Sequence, residues 1–513
     1  MRKLPIGVQS FDEIRSGDYI YVDKTRYVLD LIESGKYYFL SRPRRFGKSL
    51  LVDTMRCLFE GRKELFEGLY IYDKWDWEEK FSVIRVSFGS YGLSEDLGLE
   101  DYIRLRLNEI AKDNNVYLES KVYYEMFNEL IMKLSRSGRV VVLVDEYDKP
   151  ILDKIEDKEE AIKRREILKS FYQVMKDRDR ELGFVFLTGV SKFSKVSIFS
   201  GLNNLRDITI SERYSAFCGY TQEELEENFE EYLGGVDKRE MSMWYNGYNW
   251  TGEKVYNPYD VLLFFADGGK YRSYWFESGT PGFLIKELME KRFYLPEIER
   301  IEAGEEILSS FDVGDIHPVA LLFQTGYLTI KEEQRLGEMI GYILSYPNLE
   351  VKMALNSHIL KDYTKVIEKD ALRMETYRSL QRGDIEKVVV LMKRLLSSIP
   401  NDWYRKNKLH EYEGFYSSVF YSVFQSLGLE CVGEDVTNRG RIDLSVKIGG
   451  YVYVFEFKVV EEDEDGKRSA LEQIMEKRYW EKYEGIGKKI VLVGIEFSKE
   501  NKNIIKSEHK IIN

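Results

Sequence analysis

Between Tyr37 and Gly61 the chain runs from a short apolar stretch, Tyr37-Tyr38-Phe39-Leu40, through a basic loop, Ser41 to Ser49, into a helical pattern with Leu50, Leu51, Met55 and Leu58 on one face. No other stretch constrains the fold as strongly. A strand, a loop and a helix that opens on Gly47-Lys48-Ser49 is the context in which a phosphate-binding loop works. Backbone N–H groups around Arg45 and Gly47, together with the helix N-terminus, would hold phosphate oxygens. Lys48 would reach the outer phosphates, and the Ser49 hydroxyl would sit on Mg²⁺. The general pattern asks for a glycine where this chain has Arg42. The alternative is therefore a basic loop that happens to contain Gly-Lys-Ser.

Further strands extend the picture. Phe81 to Phe88 reads as a strand, and a charged helical region follows to about Leu134. Val140 to Val144 is an uninterrupted apolar run that leads straight into Asp145 and Glu146. Such runs suit a parallel strand buried on both faces, and an aspartate at its carboxyl end lies where a Mg²⁺-nucleotide sits in an open α/β sheet. Asp145 would hold Mg²⁺, directly or through water, and Glu146 would polarise the attacking water. The bland alternative is a strand ending in a polar turn. Phe184 to Thr188 gives another strand, which makes Thr188 either a sensor of the terminal phosphate or an ordinary strand-end threonine. The basic segment Ser191 to Lys195 follows. Ile208-Thr209-Ile210 is expected to close the sheet, with Arg206 and Arg213 as the arginines available to a transferred phosphate.

Composition narrows the class without choosing a partner. The chain has 513 residues, 43% hydrophobic and 32% charged, which predicts roughly three folded domains. Its formal net charge of −12 repels nucleic acid on average but leaves room for a local basic groove. Cys57, Cys218 and Cys431 lie far apart and there are 4 histidines, so neither a zinc spacing nor a disulfide framework is present. Met1 to Pro5 lacks an apolar leader core, and no apolar run approaches the roughly 18 residues of a membrane span. A cytoplasmic protein is expected. The expected segments are a nucleotide domain over 1–219, a helical lid or connector over 220–401 and a C-terminal domain over 402–513. The middle opens on a capping box, Thr221 to Glu224. Its aromatic clusters, such as Trp244 to Tyr248 and Tyr256 to Tyr259, read as packing rather than as a ligand cage.

The second informative stretch is Arg441 to Val460, where two alternating runs flank Gly449-Gly450 and suit a two-residue hairpin. That register pairs Ile448 with Tyr451, Leu444 with Phe455 and Asp443 with Glu456. One face then carries Ile442, Leu444, Val446 and Ile448 against Tyr451, Tyr453, Phe455 and Phe457. The other brings Asp443 opposite Glu456, with Lys458 further along. Opposed carboxylates destabilise each other unless a cation sits between them, and oxygen ligands favour Mg²⁺ or Mn²⁺. Lys458 would polarise the nucleophile. The alternative is a solvated face on which Lys458 neutralises the acids. An upstream helix would start at Glu413 and add a third carboxylate. A downstream helix, Ser469 to Tyr483, carries Gln473 and leads to a strand at Lys489 to Val493, so the order reads α-β-β-α-β. The acidic loop Glu461 to Asp465 reads as solvated.

With both constellations in view, the chain resembles the prokaryotic AAA-ATPase-like proteins that carry a C-terminal domain of the PD-(D/E)XK nuclease superfamily. The likeness runs from Tyr21 to Thr25 and the Arg42 to Ser49 loop, through Val144 to Pro150 and Thr188 to Ser200, to Gly440 to Leu444 and Phe455 to Lys458. In that family an arginine-rich loop without the first glycine is itself the pattern. The resemblance implies an α/β protein: a RecA-like P-loop ATPase core on a parallel sheet, a helical middle region and a restriction-endonuclease-like α/β domain. ATP and Mg²⁺ are the implied cofactors. Asp443, Glu456 and Lys458 match the core nuclease motif, and Glu413 and Gln473 match its helical positions. Two functions follow: an ATPase coupled to a Mg²⁺-dependent nuclease acting on DNA, or an ATP-driven switch whose nuclease fold binds without cutting. Whether a neighbouring copy in a homo-oligomer supplies an arginine stays open.

Overall fold

The computed structural model describes the chain except for residues 93–96, 193–197, 200–201, 203, 276–281, 310, 364–368, 401–412, 462–467 and 513. The basic stretch Phe193 to Lys195, most of the acidic loop Glu461 to Asp465 and the expected boundary at 401/402 lie outside the described residues.

The first strands form a parallel sheet: β1 (Tyr37–Ser41), β2 (Ser82–Ser87), β3 (Val140–Asp145), β4 (Leu182–Gly189) and β5 (Arg206–Asp207), in the order β2-β3-β4-β1-β5. β1 and β3 are buried along their whole length, as their unbroken apolar runs require. β4 lies between the strand that leads into the phosphate loop and the strand that ends at Asp145. The closing strand comes earlier than the apolar triplet Ile208-Thr209-Ile210 suggested. Asp207 Oδ1 accepts the Thr209 N–H at 2.8 Å and turns the chain, so ladder pairing stops at Asp207.

The chain divides into two compact units: Met1–Trp275 with Glu302–Ile343, and Phe276–Ile301 with Leu344–Asn513. In the first, the capping box forms as expected on the helix Gln222–Asn228. Its Glu224 also takes Lys24 Nζ at 2.6 and 2.5 Å, which ties this helix to the N-terminal segment. Phe229, Met241, Tyr245, Tyr256 and Phe264 share one buried cluster with Ile20 and Val22. The aromatic turns are core. The middle region is largely helical and adds short strands: β6 (Ile301–Gly304), β7 (Phe311–Asp312), β8 (Asp315–Ile316), β9 (Thr329–Leu336) and β10 (Met339–Ser345). β10 lies between β6 and β9.

The second unit holds a mixed sheet in the order β11 (Glu430–Thr437), β12 (Gly440–Ile448), β13 (Tyr451–Val460), β14 (Lys489–Ser498), β15 (Asn503–Ile512). The hairpin register is as read from the sequence, with Ile448 against Tyr451 and Leu444 against Phe455. Phe455 and Phe457 meet Phe420 of the helix Glu413–Ser426. Ile442 departs from the expected face. It packs with Val452, Val454 and Ile474, under the helix Ala470–Lys477. The β12–β13 ladder ends at Leu444 and Phe455, and beyond it the Asp443 carboxylate takes the Phe457 N–H, so strict alternation lapses there. The downstream helix is also shorter than expected, because Arg478 adopts φ 52 and a 3₁₀ turn, Tyr479–Tyr483, follows. Among the described residues no helix is long and apolar enough to cross a membrane.

Candidate functional site

The phosphate loop is built by backbone conformation. Gly47 has φ 83 and immediately precedes the helix Lys48–Phe59. An added Cβ there would meet nothing within 4 Å, so the glycine is needed for its left-handed φ and not for space. Arg45 is left-handed as well, at φ 71, and its guanidinium lies 4.6 Å from the Tyr259 ring centre. Lys48 is buried and folds back on the loop, donating to the Arg42 and Pro43 carbonyls at 2.9 and 2.8 Å. Burial lowers its pKa, and the charges of Glu146 and Asp145 oppose that shift. Ser49 sits half-buried in the first turn.

Asp145 ends β3 and is buried, and its Oδ1 accepts the Thr188 hydroxyl at 2.8 Å. The structure thus brings Lys48, Asp145, Glu146 and Thr188 to one end of the sheet, with Glu146 in a left-handed conformation at φ 53. Arg206 and Arg213 stay out of this group. Arg206 pairs with Tyr38, toward the other end of β1 from the loop, and Arg213 forms an ion pair with Asp30.

Two residues of this site carried no role in the sequence reading. Arg42, in place of the usual glycine, is buried and stacks 3.9 Å from the Trp250 ring centre. It donates to the carbonyls of Ser41, Thr209 and Tyr214 at 2.9, 2.8 and 3.0 Å. It is a strut under the loop. Asp148 is buried and accepts the N–H groups of Val190 and Ser191 at 3.0 and 2.5 Å, fixing the chain after β4. Burial pushes its carboxyl up to about 6.

At the C-terminal site Glu456 is 4% exposed. One of its oxygens accepts the Gln473 amide, while Oε2 is buried without a hydrogen-bond partner. Asp443 Oδ2 accepts the Phe457 N–H at 2.7 Å. Burial raises the pKa of both carboxyls. Glu434 and Glu413 add to the shift at Asp443, and Asp443 and Glu413 add to it at Glu456. Glu413 opens its helix as expected, but it is exposed and its Oε1 takes the Val459 N–H at 3.1 Å. Lys458 Nζ donates to the Arg468 carbonyl. Among the described residues no set of three or more His, Cys, Asp and Glu is gathered to hold a metal ion, so Glu413 does not complete a triad with Asp443 and Glu456. The donor set of the pair nevertheless fits a hard divalent cation. Glu456 is withheld from water, Asp443 is half-buried, and one Glu456 oxygen lacks any partner.

A family model described as predicted AAA-ATPase matches residues 5–199, and one described as PD-(D/E)XK nuclease superfamily matches residues 411–507. A protein of Azotobacter chroococcum mcd 1, named an uncharacterized protein in the vnfD 5′ region, is 48% identical over 512 residues, covering 98% of each chain. The chain belongs to the predicted AAA-ATPase family with a PD-(D/E)XK nuclease superfamily domain.

For this AAA-ATPase-like chain the two matched segments coincide with the two sites: Lys48, Asp145, Glu146 and Thr188 fall in the first, and Glu413, Asp443, Glu456, Lys458 and Gln473 in the second. A further carboxylate of the nuclease-superfamily domain escaped the sequence reading. Glu434, left-handed at φ 50, lies on β11 between the partners of Leu444 and Ile442 but outside the ladder itself, and its charge adds to the shift at Asp443. Its only sequence signal was an acid in a strand of weak alternation.

Proposed function

We propose that the chain hydrolyses ATP in its N-terminal segment, 1–219, and uses nucleotide state to gate a Mg²⁺-dependent nuclease in 402–513 that acts on DNA, with 220–401 as connector. The reading places it in the cytoplasm, and a homo-oligomer is the arrangement in which a neighbour would contribute an arginine. Arg45, Gly47 and Lys48 bind the phosphates, with Ser49 and Asp145 as the residues for the nucleotide's Mg²⁺. Glu146 orients the attacking water, and Thr188 senses the terminal phosphate through its bond to Asp145. Lys48 leaves its loop carbonyls when phosphate oxygens replace them.

One observation carries the nuclease half: the Asp443–Glu456 pair, with Glu456 buried, Asp443 half-buried and Glu456 Oε2 unpartnered. A bound divalent cation would supply Lewis-acid activation of water and of a phosphodiester oxygen. Gln473 holds the Glu456 carboxylate in place, and Lys458 provides the charge that steadies the attacking oxygen. The test is cleavage of linear and circular DNA by the full chain with Mg²⁺ or Mn²⁺, with and without ATP. Cleavage that needs the metal, disappears in Glu456→Ala and loses its ATP dependence in Lys48→Ala supports the reading. A folded protein that cuts no nucleic acid under any of these conditions sinks it.

The bond from Lys458 to the Arg468 carbonyl favours a second reading, an ATP-driven switch that binds nucleic acid without cutting. Unchanged DNA affinity and unchanged behaviour in Glu456→Ala would support it.

A further inference from the structure

The phosphate loop is braced by residues from far downstream in the chain. Arg42 lies over Trp250, Arg45 lies over Tyr259, and Phe46 packs edge-on against Tyr248 and Trp250 with ring centres 4.7 and 5.6 Å away. Pro43 is admitted by Gly326, where a Cβ would come within 2.7 Å of it. These partners are themselves fixed. Tyr248 and Val255 exchange backbone hydrogen bonds at 3.2 and 2.9 Å, which closes the turn that carries Trp250, and the Asn249 N–H donates to Thr329 Oγ1 at 2.6 Å.

Tyr259 is set as firmly. Asn257 caps the helix Pro258–Ala266, its Oδ1 accepting the Tyr259 N–H at 2.9 Å, and Pro258 fixes the first turn. Val261, Leu262 and Phe264 of that helix are buried in the cluster that holds Ile20 and Val22. The ring is thus half-buried on a rigid element, whereas Arg45 is exposed. Its left-handed φ of 71 is a conformation that a residue with a Cβ holds at a cost. Among the described residues Arg45 pairs with no carboxylate, and what its guanidinium meets is the Tyr259 ring, 4.6 Å away. Arg42 has spent its N–H groups on three carbonyls, but Arg45 has not. A guanidinium that lays its face on an aromatic ring keeps its N–H edge for an anion.

We propose that Tyr259 is a positioning residue of the nucleotide site: its ring takes the face of the Arg45 guanidinium and leaves the N–H edge to an incoming polyphosphate. Without the ring the long Arg45 side chain samples many rotamers, and each binding event has to order it. The site is then shared between the phosphate loop and the middle region, and a nucleotide bound through Arg45 bears on the helix Pro258–Ala266 as well as on the loop. The inference rests on the nucleotide reading for what the loop takes up, but not on hydrolysis or on DNA cleavage.

The experiment measures binding of the β,γ-imido analogue of ATP with Mg²⁺, and of inorganic tripolyphosphate, to the full chain by isothermal titration calorimetry. Tyr259→Phe keeps the ring and should stay within about twofold of the parent, whereas Tyr259→Leu should weaken both ligands about fivefold. Arg45→Ala should weaken them by about fivefold or more, and adding Tyr259→Leu to it should cost nothing further, because the ring acts only through the arginine. Unchanged affinity in Tyr259→Leu, even with a lowered melting temperature, would overturn the proposal by reducing Tyr259 to a packing residue. Equal losses in Tyr259→Phe and Tyr259→Leu, or losses that add in the double variant, would overturn it as well. A parent chain that binds tripolyphosphate but not the nucleotide analogue would sink the ATP reading, and the same series on tripolyphosphate would still decide the role of Tyr259. A parent that binds neither ligand would sink both.

Discussion

The two sites hold their charges in opposite ways. At the phosphate loop most polar groups are answered from within: Lys48 is bonded to two loop carbonyls, Asp145 to Thr188, Asp148 to two backbone N–H groups, and Arg42 to three carbonyls with its Nε left over. At the carboxylate site the acids are brought together with one buried oxygen unanswered and with burial raising both pKa values. A ligand at the first site has to exchange existing bonds for its own. At the second it supplies what is lacking. Under the proposed function this difference fits reversible nucleotide cycling at the first site and a resident cation at the second.

The sharpest way to break this comparison is to disable each site alone. Lys48→Ala should lower ATP turnover by at least about a hundredfold while leaving Mn²⁺ binding in the C-terminal unit intact, and Glu456→Ala should do the reverse. Parallel phosphate-release and Mn²⁺ titration assays check both halves, and a loss that crosses over would end the idea of two separate sites. Next in size is Arg42→Gly, which restores the general motif. It should cost about 3 kcal/mol of stability in denaturant unfolding, because buried carbonyls lose their donors and the Trp250 face is left open. It should bring no gain in ATP affinity, and a gain would show that Arg42 is more than a strut.

A subtler test uses pH. The folded pKa of Asp148, about 6, lies above its ordinary value of 3.8. Its contribution to stability is therefore complete below the unfolded value and is lost as pH rises through about 6, by something of order 2–3 kcal/mol. Wild type should lose stability relative to Asp148→Asn between about pH 3.5 and 6.5 in urea unfolding, and parallel curves would refute the assignment. The smallest expected effect is on melting. Mn²⁺ at about ten times its dissociation constant should raise the transition of the C-terminal unit by roughly 3 °C in wild type and not in Glu456→Ala.

Much of this arrangement was legible where local pattern and tertiary environment agree. Val140 to Val144 could only be a strand buried on both sides, and the Gly449-Gly450 turn with period-two runs fixed which residues of β12 and β13 oppose each other. Elsewhere the deciding partner lies far away in sequence. An arginine in a loop reads as surface, and Trp250 in the middle region, with the carbonyls of Thr209 and Tyr214, makes Arg42 a core residue. Ile442 follows alternation until the ladder runs out, which no hydropathy pattern reveals. β11 and β15 were missed because edge strands carry charged, exposed residues that blur the period-two signal, as in Ser507 to Lys510. Gln473 was placed on its helix correctly, and its bond to Glu456 follows from that placement.

The segment Phe276–Ile301, whose 3₁₀ turn Leu295–Glu299 bonds to Ser418, Tyr421 and Gln425, has a consequence for dissection. Residues 276–301 belong to the C-terminal unit, yet the chain on both sides of them, to Trp275 and from Glu302, belongs to the N-terminal one. The backbone therefore passes from one unit to the other three times, and no single cut yields two complete parts. A fragment beginning at Leu344 would keep every residue of the nuclease motif and still leave Ser418, Gly433, Tyr421 and Gln425 without the turn that covers them. The two sites can be separated by point substitution but not by scissors, and a lineage that exchanged either unit as a cassette would have had to carry this insertion along.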